Sequence, residues 1–139
     1  MAKKDVIIGL GEIGLPLFNL ISKFTIAEGY DIKPELRNKP KFSQYENLDV
    51  LFLHICIPFS KNFFREIYSL YKKYHPQAIV IHSTVSPYTT KNLQKKLSIP
   101  VIYSATRGIH KRMLSDLKRY TKFYRSEERR VGKECRSRW

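Results

Sequence analysis

Acidic residues are scarce in this 139-residue chain: 12 Asp and Glu stand against 26 Lys and Arg, for a formal charge of +14. Cysteine, methionine and tryptophan are rarer still, at two, two and one. Two cysteines make neither a disulfide framework nor a metal cluster, so the stapled small folds are excluded, no metal site is expected, and a reducing cytoplasm is the expected setting. Long apolar runs are also missing. The best, Val50 to Phe59, spans about ten residues and contains His54, well short of the roughly 18 that a membrane span needs. Lys3 and Lys4 precede an apolar segment, but Asp5 and Glu12 interrupt it and no small-residue cleavage site follows, which is not the pattern of a signal peptide. What is present is 42% hydrophobic and 13% aromatic content. Over a length that fits one domain, that is the composition of a folded core and not of a disordered chain.

So basic a balance points to nucleic acid, a membrane surface or anionic small molecules, and its distribution decides among them. The last 15 residues, Arg125 to Trp139, read RSEERRVGKECRSRW, with no apolar period of 3.6 or 2. This string resembles the conceptual translation of a DNA-sequencing adapter. The resemblance implies a gene product cut short near Tyr124, with a domain over 1–124 and a non-native, unstructured tail over 125–139. The alternative for the tail is a basic arm for nucleic-acid contact. Six of the basic residues and three of the acids lie in the tail, with Cys135 and Trp139, and the remainder keeps +11 on its own.

Along the body, Asp5 to Gly9 is a short β-branched run that reads as a buried parallel strand. Glu12 to Lys23 places Ile13, Leu17, Leu20 and Ile21 at helical spacing, with Pro16 confined to the first turns. Phe24 to Tyr30 reads as a second strand closing on Asp31, and Lys33 to Gln44 as a loop with at most a short edge strand. Strands are expected at Val50–Ile57, Ala78–His82 and Val101–Ser104, and helices at Asn62–Tyr74, Pro87–Leu97 and Met113–Tyr120, before an extended stretch at Lys122–Tyr124. Strands alternating with helices of this length are the mark of βαβ units. The expected fold is α/β, a Rossmann-like doubly wound parallel sheet left incomplete at its C-terminus.

Gly9-Leu10-Gly11-Glu12-Ile13-Gly14 is a G-x-G-x-x-G that follows a strand, opens a helix and precedes an acid, Asp31, 22 residues after Gly9. Each part has a mechanical reason in dinucleotide binding. Gly9 allows a tight turn, Gly11 lets the backbone approach a pyrophosphate, and Gly14 lets the helix pack on the sheet. The N–H groups of Glu12, Ile13 and Gly14 face the phosphates at a helix N-terminus. Asp31 accepts the adenosine ribose hydroxyls and repels a 2′-phosphate, which favours NAD over NADP, with Lys33 nearby acting the other way. The plain alternatives are turn glycines and a turn acid that bind nothing. If the third strand lies on the far side of the first from the second, Pro58, Ser83-Thr84 and Ser104 to His110 converge on the same crevice.

In order along the chain, GLGEIGLP (9–16), Asp31, DVLFLHICIP (49–58) and HSTVSPYTT (82–90) resemble the N-terminal domain of the UDP-glucose/GDP-mannose dehydrogenase family, over residues 5 to about 124. The resemblance implies NAD-dependent oxidation of a sugar-nucleotide C6 alcohol, with Pro58 at the cofactor and Thr84 beside the nicotinamide holding the water or substrate at the reacting carbon. Read from the residues alone, Thr84 is equally a hydroxyl near the helix start before Pro87. The chain departs from the family after the fifth strand. Where a Pro-Glu supplies the glutamate for thioester hydrolysis, it has Ser104-Ala105-Thr106-Arg107-Gly108-Ile109-His110, without a carboxylate at Thr106. Arg107 and His110 are candidates for binding a phosphate or moving a proton, or are a surface charge and a loop cap. The family's nucleophilic cysteine, catalytic lysine and sugar-binding domain lie outside this sequence, so the fragment is expected not to turn over, and the whole protein is expected to act on a nucleotide sugar, with a homodimer as its candidate assembly. Cys56, inside the most apolar strand, reads as an inert small hydrophobe. A second reading is a non-catalytic NAD(P)-binding regulatory or interaction module. A third is nucleic-acid binding through Lys72-Lys73-Tyr74 and Lys118-Arg119-Tyr120, whose aromatics also fit helical core faces.

Overall fold

The computed structural model describes residues 2–38, 45–106, 110–119, 122–126 and 135–137. Strand β1 is Lys4–Ile8, and all five of its residues are buried. Because successive side chains point to opposite faces of a sheet, Val6 and Ile8 enter one core and Ile7 the other. Helix α1 (Gly14–Ile21) lays Leu17, Leu20 and Ile21 on the Ile7 side, together with Ala27 of strand β2 (Ala27–Tyr30). Strand β3 (Val50–Ile55), helix α2 (Phe63–Tyr74), strand β4 (Ala78–Ile81), helix α3 (Thr89–Leu97) and strand β5 (Val101–Tyr103) follow. On the opposite face, Phe63 and Ile67 of α2 and Leu93 and Leu97 of α3 pack on Val6, Ile8, Leu53, Ile55, Ile79 and Ile81. Helix α4 (Met113–Arg119) returns to the first face, where Met113 and Leu117 join the α1 cluster.

Five parallel strands lie in the order β2-β1-β3-β4-β5, the expected doubly wound α/β arrangement. The chain moves one way across the sheet from β1 to β2 and the other way from β3 to β5. A right-handed crossover in each direction puts α1 on one face and α2 and α3 on the other. The reversal falls between β1 and β3, so the crevice of a doubly wound sheet opens at their C-terminal ends. A register shift against β1, from Lys4↔Val50 to Val6↔Leu53, gives β3 one extra residue. This brings Val50 and Leu53 into the same core despite their odd separation.

Several boundaries differ from expectation. Helix α1 begins at Gly14 and not Glu12, and β2 begins at Ala27 because Phe24 lies 76% exposed in the preceding turn. β3 ends at Ile55, which leaves Cys56 just beyond the strand and half-buried instead of inside it. The described part of the stretch after Asp31 is, as expected, a loop, with a 3-10 turn at Pro34–Leu36 and one antiparallel bridge between Gly29 and Asn38, and residues 39–44 lie outside the described residues. Strand β6 (Lys122–Ser126) runs antiparallel to β5, and β7 (Cys135–Ser137) antiparallel to β6. The stretch 125–139, expected to be unstructured, therefore contains paired backbone. Its ladder is made by main-chain groups, and an open strand edge accepts any extended segment whatever its side-chain pattern.

On β1, next to the edge strand β2, Lys4 is 4% exposed, its ammonium held by the Glu28 carboxylate and the Glu46 carbonyl. The Tyr74 phenol nearby is pushed up from 10 to about 12, by burial first and then by Glu28 and Tyr30, against the Arg37 charge. The folded protein thus holds this proton more tightly than the unfolded chain. The contribution is whole below pH 10 and is lost as pH rises through about 12. Denaturation midpoints of the wild type should fall across that window more steeply than those of Tyr74→Phe. Parallel curves would show that Tyr74 has no part in the loss.

Candidate dinucleotide-binding site

The glycine motif sits on the C-terminal end of β1, and each glycine meets a different surrounding. Gly9 turns the chain at φ +88, in the left-handed region that disfavours a side chain, and a Cβ there would stand 2.9 Å from the Cys56 carbonyl oxygen. Its N–H donates to the Tyr30 carbonyl at 2.8 Å. A Cβ on Gly14 would fall 1.5 Å from the Gly9 carbonyl oxygen, so α1 starts almost in contact with the strand it leaves. Gly11 has the reverse environment, with no atom within 4 Å of the position a Cβ would take. Helix α1 has no side-chain cap, and the N–H groups of Gly11, Ile13 and Gly14 have no hydrogen-bond partner among the described residues. Orphan donors at a helix start beside an open space are suited to an anion.

Asp31 is tied directly to this loop. One carboxylate oxygen accepts the Leu10 N–H at 2.8 Å and the other the Lys33 N–H at 2.9 Å. Burial pushes this carboxyl up, but the two N–H bonds and the Lys33 and Arg37 charges outweigh burial and hold it below its ordinary value. The acid is therefore ionised at neutral pH. Leu10 is 1% exposed and lies against Gly29, where a Cβ would meet its methyl groups at 2.9 Å. The loop is thus pinned to β2 by a buried leucine and by a carboxylate.

No family model matches the chain, and no curated protein does either. Among solved structures it is similar to an NDP-N-acetyl-D-galactosaminuronic acid dehydrogenase from Methanosarcina mazei Go1, at 19% identity and a TM-score of 0.63, over 92% of this chain and 39% of that one. It is also similar to a reductive aminase from Aspergillus terreus in complex with NADPH and ethyl levulinate, at 10% identity and a TM-score of 0.55, over 81% of this chain and 44% of that one. The fold is Rossmann-like. The chain spans less than half the length of either neighbour.

The structure brings Gly9, Gly11, Glu12, Ile13, Gly14 and Asp31 together at the β1–β2 end of this Rossmann-like sheet. Pro58 lies past the end of β3, exposed, and Ile57 beside it packs on Gly9. Thr84 is exposed just past β4, two strands from the glycine loop, or about 10 Å by strand spacing. Its neighbour Ser83 is buried, and the hydroxyl donates to the Ile57 carbonyl, joining the loops after β3 and β4. Ser104 is buried with its N–H on Ile81, and the Thr106 N–H reaches the His82 carbonyl at 3.3 Å. Arg107 and the His110 side chain lie outside the described residues. No group of three or more metal-ligating side chains occurs among the described residues, and no described helix is long and apolar enough to cross a membrane.

One cluster escaped the sequence reading, in which His54 served only to interrupt an apolar run. Under the crevice, His54 Nδ1 lies 2.9 Å from His82 Nε2 with the rings stacked, and His54 Nε2 is 3.5 Å from the Asp5 carboxylate. One histidine nitrogen must donate and the other accept, so the pair shares a single proton across the bond. The available signal was strand parity. His54 pairs with Val80, which puts His82, two residues on, diagonally across from it on the same face.

Proposed function

We propose that residues 1–124 form the nicotinamide-dinucleotide-binding domain of a dehydrogenase, with 125–139 foreign to it, and that the whole enzyme oxidises an alcohol of a nucleotide sugar. The observation that carries the reading is the contrast among the three glycines. A turn that bound nothing would have reason for the strained Gly9 and the close-packed Gly14, but none for an unfilled space at Gly11 faced by unsatisfied N–H groups. A diphosphate fits that space, because it supplies acceptors to the donors and negative charge to the helix start. Asp31 is placed to take the adenosine ribose, since each carboxylate oxygen keeps a lone pair after accepting one N–H. The neighbours support the reading through their fold, one being named a nucleotide-sugar-acid dehydrogenase and the other holding NADPH.

A bound dinucleotide would supply the hydride acceptor. The chain's own part would be to fix the diphosphate on the α1 start, hold the ribose at Asp31, and present Thr84 from the β4 end toward the reacting carbon. The absence of a carboxylate at Thr106 favours an alcohol-to-aldehyde oxidation over one carried on to the acid. NADH titrated into the full chain, followed by its fluorescence, should bind saturably, and Asp31→Ala should weaken it about tenfold, the worth of a hydrogen bond to a charged group. A wild type that shows no saturation, or an Asp31→Ala that binds as the wild type does, removes the reading.

A further inference from the structure

The end of β2 carries more positive charge than recognition of a ribose requires. This inference rests on the dinucleotide reading above. Asp31 spends one lone pair of each carboxylate oxygen on the Leu10 and Lys33 N–H groups, so part of its charge is already engaged inside the protein. Beside it stands a guanidinium clamped by neutral groups alone. Arg37 Nε donates to the Asp31 main-chain carbonyl at 2.7 Å, and one Nη donates to the Tyr30 hydroxyl at 3.3 Å and the Ile32 carbonyl at 3.4 Å. The guanidinium lies 4.5 Å from the centroid of the Tyr30 ring, which also carries the Lys73 ammonium at 4.6 Å. Among the described residues Arg37 has no carboxylate partner, and its second Nη makes no hydrogen bond. The side chain is exposed. Its geometry is therefore set before any ligand arrives while no carboxylate is bonded to it, which is the preorganised state that binds phosphate with least ordering cost. Lys33, exposed and likewise without a carboxylate partner, adds a second cation two residues from Asp31.

We propose that the adenosine end of the site accepts a 2′-phosphorylated dinucleotide, NADP(H), and that Arg37 is the residue that selects it. Asp31 and Glu35 are matched by Lys33 and Arg37, and the Lys73 ammonium over the Tyr30 ring leaves the balance at the ribose edge positive, so a phosphate there is attracted where a lone Asp31 would repel it. The free edge of the Arg37 fork supplies paired donors to the phosphate, and Lys33 a point charge.

The full chain, titrated separately with NADPH and NADH, and with adenosine 2′,5′-bisphosphate and ADP as probes of the adenosine end alone, tests this. The 2′-phosphorylated ligand of each pair should bind at least as tightly as its partner. Arg37→Ala should lower the NADPH-to-NADH affinity ratio about tenfold, Arg37→Lys should restore part of it, and Lys33→Ala should lower it by a smaller factor. A wild type that prefers NADH, or an Arg37→Ala ratio within about threefold of the wild type, overturns the proposal. Failure of both dinucleotides to bind is a different result: it removes the site itself, and this inference with it.

Discussion

Gly14→Ala should cost about 3 kcal/mol or more, the upper end of what forcing a methyl into filled space costs. The new methyl would stand 1.5 Å from the Gly9 carbonyl oxygen, 2.7 Å from its carbon and 3.3 Å from the Cys56 β-carbon. The first two of these are backbone and cannot swing aside as a side chain would. Gly9 cannot retreat either, because its N–H is bound to Tyr30, its φ is +88, and the Cys56 carbonyl closes the space behind it. The start of α1 must move instead, carrying Leu17, Leu20 and Ile21 away from the Ile7 face. For a domain of this size such a loss corresponds to a fall in Tm of about 10 °C. Gly11→Ala is the control, with no atom to clash and an expected change below about 1 kcal/mol. If the two variants melt together, the close approach of helix and strand is not what Gly14 provides.

Those two glycines also show what was legible in the sequence and why. The motif announced the tight turn at Gly9 and the close packing at Gly14 because both are demands on the backbone, and a glycine is the local answer to each. The same holds for Ile7 against Val6 and Ile8, since alternation along a buried strand needs only the period of the pleat. Helix α2 was readable within one residue because Phe63, Ile67, Leu70 and Tyr71 share one face. Pairing that depends on register or on an open edge was not readable. His54 and His82 meet because β3 and β4 align His54 with Val80, a fact held by neither segment alone. The extended stretch at Lys122–Tyr124 was readable, but its pairing with β5, and that of β7 with β6, was not, since the segment 125–139 carries no apolar period to announce it. Nothing in the sequence sets Arg37 apart from the other basic residues of its loop. Only the fold folds the loop back so that its guanidinium rests on Tyr30 and its Nε reaches the Asp31 carbonyl.

Gly11→Val separates binding from folding more sharply than any other change in the site. The valine β-carbon would stand where no atom beyond the chain neighbours lies within 4 Å, so the folded state loses no contact and has room for the side chain. Its Tm should stay within about 3 °C of the wild type, the range of an ordinary surface substitution. The proposed diphosphate site lies at this helix start, where the Gly11, Ile13 and Gly14 N–H groups have no partner among the described residues. A side chain there holds a diphosphate off donors that it would otherwise engage directly. Two charge-assisted hydrogen bonds lost at about 1.5 kcal/mol each amount to about a hundredfold in affinity. NADH affinity should therefore fall by at least that factor while the melting curve hardly moves. A variant that melts early and binds weakly would show only a damaged fold. One that melts normally and binds NADH as the wild type does would place the diphosphate elsewhere, because no bound diphosphate resting on this helix start can share the space with a valine at Gly11.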